Sequence, residues 1–187
     1  MLKYRLRNLI VLTLVSTGIV LALTGCGQDD DAPAESMIGE QAPELSGDDL
    51  TGTGVDDLAD LSGKPTAVVF WLNTCPHCQD GLPAIQAAAL DLEDKYNILT
   101  VGMANEDAEG EPGFETPEAF VESVGLTLPT VAYTWDRAKA DWRISQVPTV
   151  FILDDQQRIE DVIGAEDDLV GAIEASLENV ELKCCGS

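Results

Sequence analysis

The sequence predicts an α/β fold, a central mixed β-sheet flanked by helices, on three observations. The segment Thr66–Leu72 is a continuous apolar run rich in β-formers, the pattern of a strand buried on both faces. Leu82, Ile85, Ala88, Ala89 and Leu92 then recur at helical spacing, and a second β run, Ile98 to Ala104, follows Tyr96-Asn97. Together these form a βαβ unit with parallel strands. Val147 to Leu153, a turn at Asp154 to Gln157, and Arg158 to Ile163 make an antiparallel hairpin.

The chain has 187 residues, enough for one globular domain with short appendages. With 34 acidic residues against 10 basic ones its formal net charge is -24. A polyanion of that size is repelled by phosphate backbones and by anionic headgroups, which excludes nucleic acid as a partner and excludes electrostatic docking on a membrane.

The basic residues Lys3, Arg5 and Arg7 precede the apolar run Leu9 to Leu23, a charged region followed by a hydrophobic one as in a signal peptide. The run is shorter than the roughly 20 residues that a membrane-spanning helix needs. It ends in Leu23-Thr24-Gly25-Cys26, which resembles the lipobox of bacterial lipoproteins. That resemblance implies cleavage after residue 25, lipidation of Cys26, and a lipid bilayer as a partner through the anchor, two acyl chains being enough for stable attachment. Residues 26–41, with Asp29 to Asp31 and almost nothing to bury, read as an acidic tether. A flexible chain of that length spans about 20 Å. The globular domain is then 42–182. Within it Glu115 to Val124 reads as a short helix started by Thr116-Pro117. A last amphipathic helix carries Leu169, Ile173, Leu177 and Val180 after the acidic Glu166, Asp167 and Asp168, which favour a helix N-terminus.

The chemistry lies between the first strand and its helix, at Cys75-Pro76-His77-Cys78. Two cysteines with two residues between them at the start of a helix can close a disulfide, and the helix N-terminus stabilises the thiolate of the first. Cys75 is therefore the expected nucleophile and Cys78 the resolving thiol. His77, the only histidine, is expected to lower the Cys75 pKa further, into the roughly 3.5 to 7.5 range of activated thiols. The competing reading is half of a structural zinc site. Zinc takes about four ligands, and one CxxC supplies two, so no metal is expected.

From about Gly39 to Leu182 the chain resembles the thioredoxin superfamily, and within it the extracytoplasmic TlpA/ResA-type thiol-disulfide oxidoreductases. The resemblance rests on Gly39-x-x-Ala42-Pro43, on Gly63-Lys64-Pro65 before the strand, on Phe70-Trp71 and the CxxC, on Pro83 in the following helix, and on Val147-Pro148-Thr149 leading into Phe151. It implies a thioredoxin-like fold with a cis proline at Pro148 facing the CxxC, where Val147 presents its backbone to the substrate. It also implies protein thiol or disulfide substrates, a membrane redox partner, an extracytoplasmic location, and no cofactor beyond the redox-active disulfide Cys75–Cys78.

The sequence departs from that family's pattern at three places. Thr74 stands where many members have tryptophan, Gly81 where they have glutamate, and Val69 where thioredoxin has a buried acid; Asp80 should point elsewhere on its helix. The general base is thus open. The Pro-His dipeptide is that of oxidising members, and His77 should stabilise the reduced thiolate, so a relatively oxidising couple is expected within the range of about -270 to -120 mV.

Cys184 and Cys185 form a second cysteine pair, in a tail at 183–187. Adjacent α-carbons lie about 3.8 Å apart, below the usual disulfide range, so a vicinal bond would be easily reduced; a redox relay and an inert tail are both open readings. Trp135 and Trp142 are expected to pack on the core, with one ring a candidate border of the substrate groove. A thioredoxin-fold copper-delivery lipoprotein is the alternative function, disfavoured because the one histidine sits inside the loop. A peroxiredoxin is a poor fit, since the Pro-x-x-x-Thr pattern before a peroxidatic cysteine is missing.

Overall fold

A computed structural model describes residues 32–104 and 114–185, with side chains described up to residue 181. Five strands, β1 (Thr66–Leu72), β2 (Asn97–Ala104), β3 (Thr130–Thr134), β4 (Thr149–Leu153) and β5 (Ile159–Ile163), form one sheet in the order β3-β2-β1-β4-β5. β1 pairs with β2 in parallel, Val68 opposite Leu99, and with β4 in antiparallel, Val69 opposite Val150. β2 and β3 are parallel and β4 and β5 antiparallel, so the sheet is mixed.

The apolar run of β1 is unbroken because both faces of the sheet are covered. Ala67, Val69 and Trp71 point into one core with Leu82, Ile85 and Ala89 of α1 (Pro76–Leu92), Phe120 and Val121 of α2 (Pro117–Val124), and Ile173, Leu177 and Val180 of α4 (Leu169–Cys185). Val68 and Phe70 point into the other, where Phe70, Phe151 and Trp142 of α3 (Trp135–Trp142) pack with ring centroids 4.9 to 5.8 Å apart. Edge and tilted arrangements at these distances add to the burial of the rings themselves.

Helix starts follow the expected chemistry. Thr116 Oγ1 accepts from the Ala119 amide at α2, with Pro117 in the first turn. Asp168 Oδ1 accepts from the Gly171 amide at α4. α1 continues through Pro83.

Two boundaries differ from the sequence reading. Part of the tether expected at 26–41 is docked on the domain: Ala34–Met37 forms a short 3-10 helix that buries Ala34 and Met37 against the second core. Backbone bonds from Gly39 N–H to the Ile159 carbonyl (2.7 Å) and from Ile159 N–H to the Glu40 carbonyl (2.9 Å) fasten it along β5. The surface that receives it is built by residues more than a hundred positions later, which local composition does not reveal. At the other end, α4 runs through Cys185, so the tail begins later than residue 183. The side chains of Cys184 and Cys185 lie outside the described residues, as do Cys26 and the whole signal segment.

Candidate active site

β1 ends at Leu72, and the chain turns through Asn73 and Thr74 before α1. Cys75 is the N-cap of α1: its amide donates to the Leu72 carbonyl (3.1 Å), its backbone is extended, and its Sγ accepts from the Cys78 amide (3.2 Å). Pro76 takes the first helical position, where no amide donor is needed. The cap therefore places the Cys75 sulfur where the helix presents its unpaired amides and the positive end of its dipole, an arrangement that favours a thiolate there.

One turn of helix brings Cys78 back beside it. The two are joined as a disulfide, with α-carbons 5.3 Å apart, inside the usual range. Their exposures differ in a way that divides the labour. Cys78 is 2 % exposed and belongs to the core beneath α1, whereas Cys75 is only half-buried at its edge. An incoming sulfur meets Cys75.

Facing Cys75 is the turn before β4. The Val147–Pro148 peptide bond is cis, as the resemblance implied, and the Val147 carbonyl oxygen lies 3.8 Å from Cys75 Sγ. Thr149 Oγ1 donates to the Gln146 carbonyl (2.7 Å) and braces this turn. Beside it runs an open cleft of about 560 Å³, bordered by His77, Asp80, Gly81 and Pro148 on one side and by residues 165–170 on the other. His77 is exposed and faces this space. Asp80 also lines it, whereas Cys78 is buried and does not. Gly81 keeps the cleft wide: a Cβ there would meet only Leu169 Cδ2, at 4.0 Å.

Trp142 is fully buried in the second core and Trp135 packs at its margin; neither ring borders the cleft. Among the described residues, no group of three or more His, Cys, Asp or Glu side chains is arranged to hold a metal ion.

Two residues that sequence reasoning passed over support the loop. Asn73, 3 % exposed, donates through Nδ2 to the Phe114 carbonyl (2.5 Å). Gln79 donates through Nε2 to the Asn73 carbonyl (2.9 Å). The only sequence signal was an amide side chain on either side of the CxxC, Asn73 between the apolar strand and the first cysteine and Gln79 directly after the second.

Residues 38–162 match the model of the AhpC/TSA family. The thioredoxin-like protein YneN of Bacillus subtilis is 28% identical over 124 residues, which is 66% of this chain and 69% of the relative. The sporulation thiol-disulfide oxidoreductase A of the same organism is 27% identical over 131 residues, 68% of this chain and 77% of the relative. The thioredoxin domain of a thiol-disulfide oxidoreductase from Bacteroides vulgatus superposes with a TM-score of 0.59 at 24% identity, covering 75% of this chain and 97% of that one, which speaks to the fold. With a CxxC disulfide capping the helix after the first strand and a mixed sheet of this order, the chain belongs to the AhpC/TSA family and is a thiol-disulfide oxidoreductase of thioredoxin-like fold.

Proposed function

We propose that this oxidoreductase exchanges disulfides with protein substrates outside the cytoplasm while tethered to a membrane through a lipid on Cys26. The observation that carries the chemistry is the asymmetric Cys75–Cys78 disulfide, one sulfur reachable and 3.8 Å from the Val147 carbonyl, the other buried. The lipobox-like Leu23-Thr24-Gly25-Cys26 supports the anchor.

In the disulfide form, a substrate thiolate attacks Cys75 Sγ. The Cys75–Cys78 bond breaks, Cys78 leaves as a thiolate and takes up a proton, and a mixed disulfide joins the substrate to Cys75. A second substrate thiolate then attacks its own disulfide-linked sulfur, and Cys75 leaves as a thiolate. The substrate is oxidised by two electrons and the enzyme is left as the dithiol. Reduction of a substrate disulfide is the same sequence reversed, with Cys75 attacking and Cys78 resolving. Val147 and Pro148 border the substrate chain, and His77 stabilises the Cys75 thiolate, which favours the dithiol and makes the couple relatively oxidising. A membrane redox partner restores the working state.

The test combines insulin turnover, with Cys75→Ser as control, and a redox titration of the pair against glutathione. Turnover that requires Cys75, with a potential well above -270 mV, is expected; a potential near the thioredoxin value of about -270 mV overturns the oxidising assignment. Labelled palmitate should enter the wild-type protein and not Cys26→Ser. An unlabelled wild type in the membrane-free fraction overturns the anchor.

A further inference from the structure

The seven residues from Asn73 to Gln79 contain both cysteines, and hydrogen bonds outside the disulfide close their two ends. The Gln79 side chain reaches back over the loop to the Asn73 carbonyl at 2.9 Å, while the Gln79 amide donates to the Cys75 carbonyl at 3.1 Å. Asn73 is in turn fixed to the body of the protein. Its amide donates to the Met103 carbonyl of β2 (3.3 Å), its carbonyl also accepts from the Phe114 amide (3.3 Å), and its Nδ2 donates to the Phe114 carbonyl. Phe114 packs tilted against Phe120 and Phe120 edge-on against Trp71, both with centroids 5.1 Å apart, so the far side of this brace returns to β1 two residues before Asn73.

We propose that Gln79 and Asn73 are positioning residues that hold the CxxC loop in its disulfide-competent shape, and thereby set how strongly the Cys75–Cys78 couple favours the disulfide. The reasoning is one of effective concentration. In the dithiol the two sulfurs are free to separate, and forming the bond costs the conformational entropy of bringing them together. A loop whose ends are already pinned has less of that entropy to lose, so the disulfide is stabilised relative to the dithiol. Gln79 acts here through the Asn73 carbonyl, and Asn73 through Phe114 and Met103, so the effect argued is conformational. It also opposes the action assigned to His77. The loop strap pulls the couple toward reducing values and the histidine toward oxidising ones.

This inference rests on the exchange chemistry above, and wild-type exchange with glutathione is its control. The variants are Gln79→Leu and Gln79→Glu, which both lack the donor but differ in charge, and Asn73→Ala, which removes the bond to Phe114. Gln86→Leu, on the same helix but bonded to Gly125 and Thr127, is the comparison. Three quantities are measured: the equilibrium constant with glutathione, the Cys75 thiol pKa by thiolate absorbance, and the Tm of the oxidised protein. The expected result is a three- to tenfold shift toward the dithiol in both Gln79 variants, the upper value corresponding to about 30 mV. Gln79→Leu should leave the thiol pKa unchanged and Gln86→Leu the equilibrium constant. An equilibrium constant within twofold of wild type in Gln79→Leu overturns the proposal. So does a shift wholly matched by a change in thiol pKa, or an equal shift in Gln86→Leu. If Asn73→Ala fails to fold, the two Gln79 variants decide the matter alone.

Discussion

The sulfur of Cys75 lies 3.8 Å from the carbonyl oxygen of Val147, at the point where the chain enters β4 through the Val147–Pro148 bond. A substrate strand laid along Val147, as proposed above, would deliver its cysteine to Cys75 and not to Cys78, which is 2 % exposed. Cys78→Ser should therefore accumulate a mixed disulfide with substrate, visible as a band on non-reducing gels that dithiothreitol removes. Cys75→Ser should form none. Insulin turnover should fall to background in both.

Two glycines should respond in opposite ways to alanine. At Gly81 an added Cβ meets only Leu169 Cδ2 at 4.0 Å, and the site is inside α1. Gly81→Ala should stabilise the protein by about 0.5 to 1 kcal/mol, because alanine has less backbone entropy to lose in a helix. At Gly102 in β2 the same atom would stand 2.8 Å from Trp71 Cζ2 and 3.1 Å from Pro117 Cβ. Gly102→Ala should cost about 1 to 3 kcal/mol through overpacking. Urea unfolding of the oxidised proteins measures both. Gly81→Phe, which fills the cleft beside Pro148, should lower kcat/KM for insulin while leaving reactivity with a small disulfide reagent close to wild type.

Met37 should be worth as much as an ordinary core residue although it precedes the expected domain boundary. It is 3 % exposed among the residues of the second core. Met37→Ala should destabilise the domain by about 2 to 5 kcal/mol in urea melts. With this segment docked, a lipid on Cys26, as proposed, would be joined to the domain by a short link. From Cys26 to Ala34 there are eight peptide steps, which bounds the separation at about 29 Å even when fully extended.

Tyr96 and Tyr133 should titrate far later than free tyrosine. Burial, with the Glu181 carboxylate accepting the hydroxyl at 2.7 Å, pushes Tyr96 up to about 12; burial and Asp141, at 2.8 Å, do the same for Tyr133. A phenol whose pKa is raised on folding stabilises the fold fully below the unfolded value near 10. That stabilisation is lost as pH rises toward 12, because the unfolded chain ionises first. Phenolate absorbance should show Tyr96→Phe and Tyr133→Phe each removing one late-titrating group. The stability gap between wild type and Tyr96→Phe should narrow between pH 10 and 12 in urea melts.

Much of this was legible in the linear pattern. β1 was readable at its true ends because a strand covered on both faces needs an uninterrupted apolar run, and Thr66–Leu72 is one. The CxxC could be placed at a helix N-terminus because Pro76 suits the first turn and the apolar stripe from Leu82 follows. β3 and α3 were not read as elements. Thr130–Thr134 is five residues long, too short for periodicity, and the eight residues of α3 bury only Ala138 and Trp142.

The sequence by itself determined the α/β class, the two cysteines and the direction from which the helix polarises them, since these follow from neighbours within a few residues. Only the tertiary structure decided what surrounds them. Val147 lies 72 positions from Cys75, Phe114 lies 41 from Asn73, and Glu40 joins β5 across more than a hundred. Which carbonyl faces the sulfur, which residue braces the loop and which segment closes the sheet edge depend on strand order and register. Those emerge when two buried faces must be covered at once, a constraint on the whole chain that no short window of it contains.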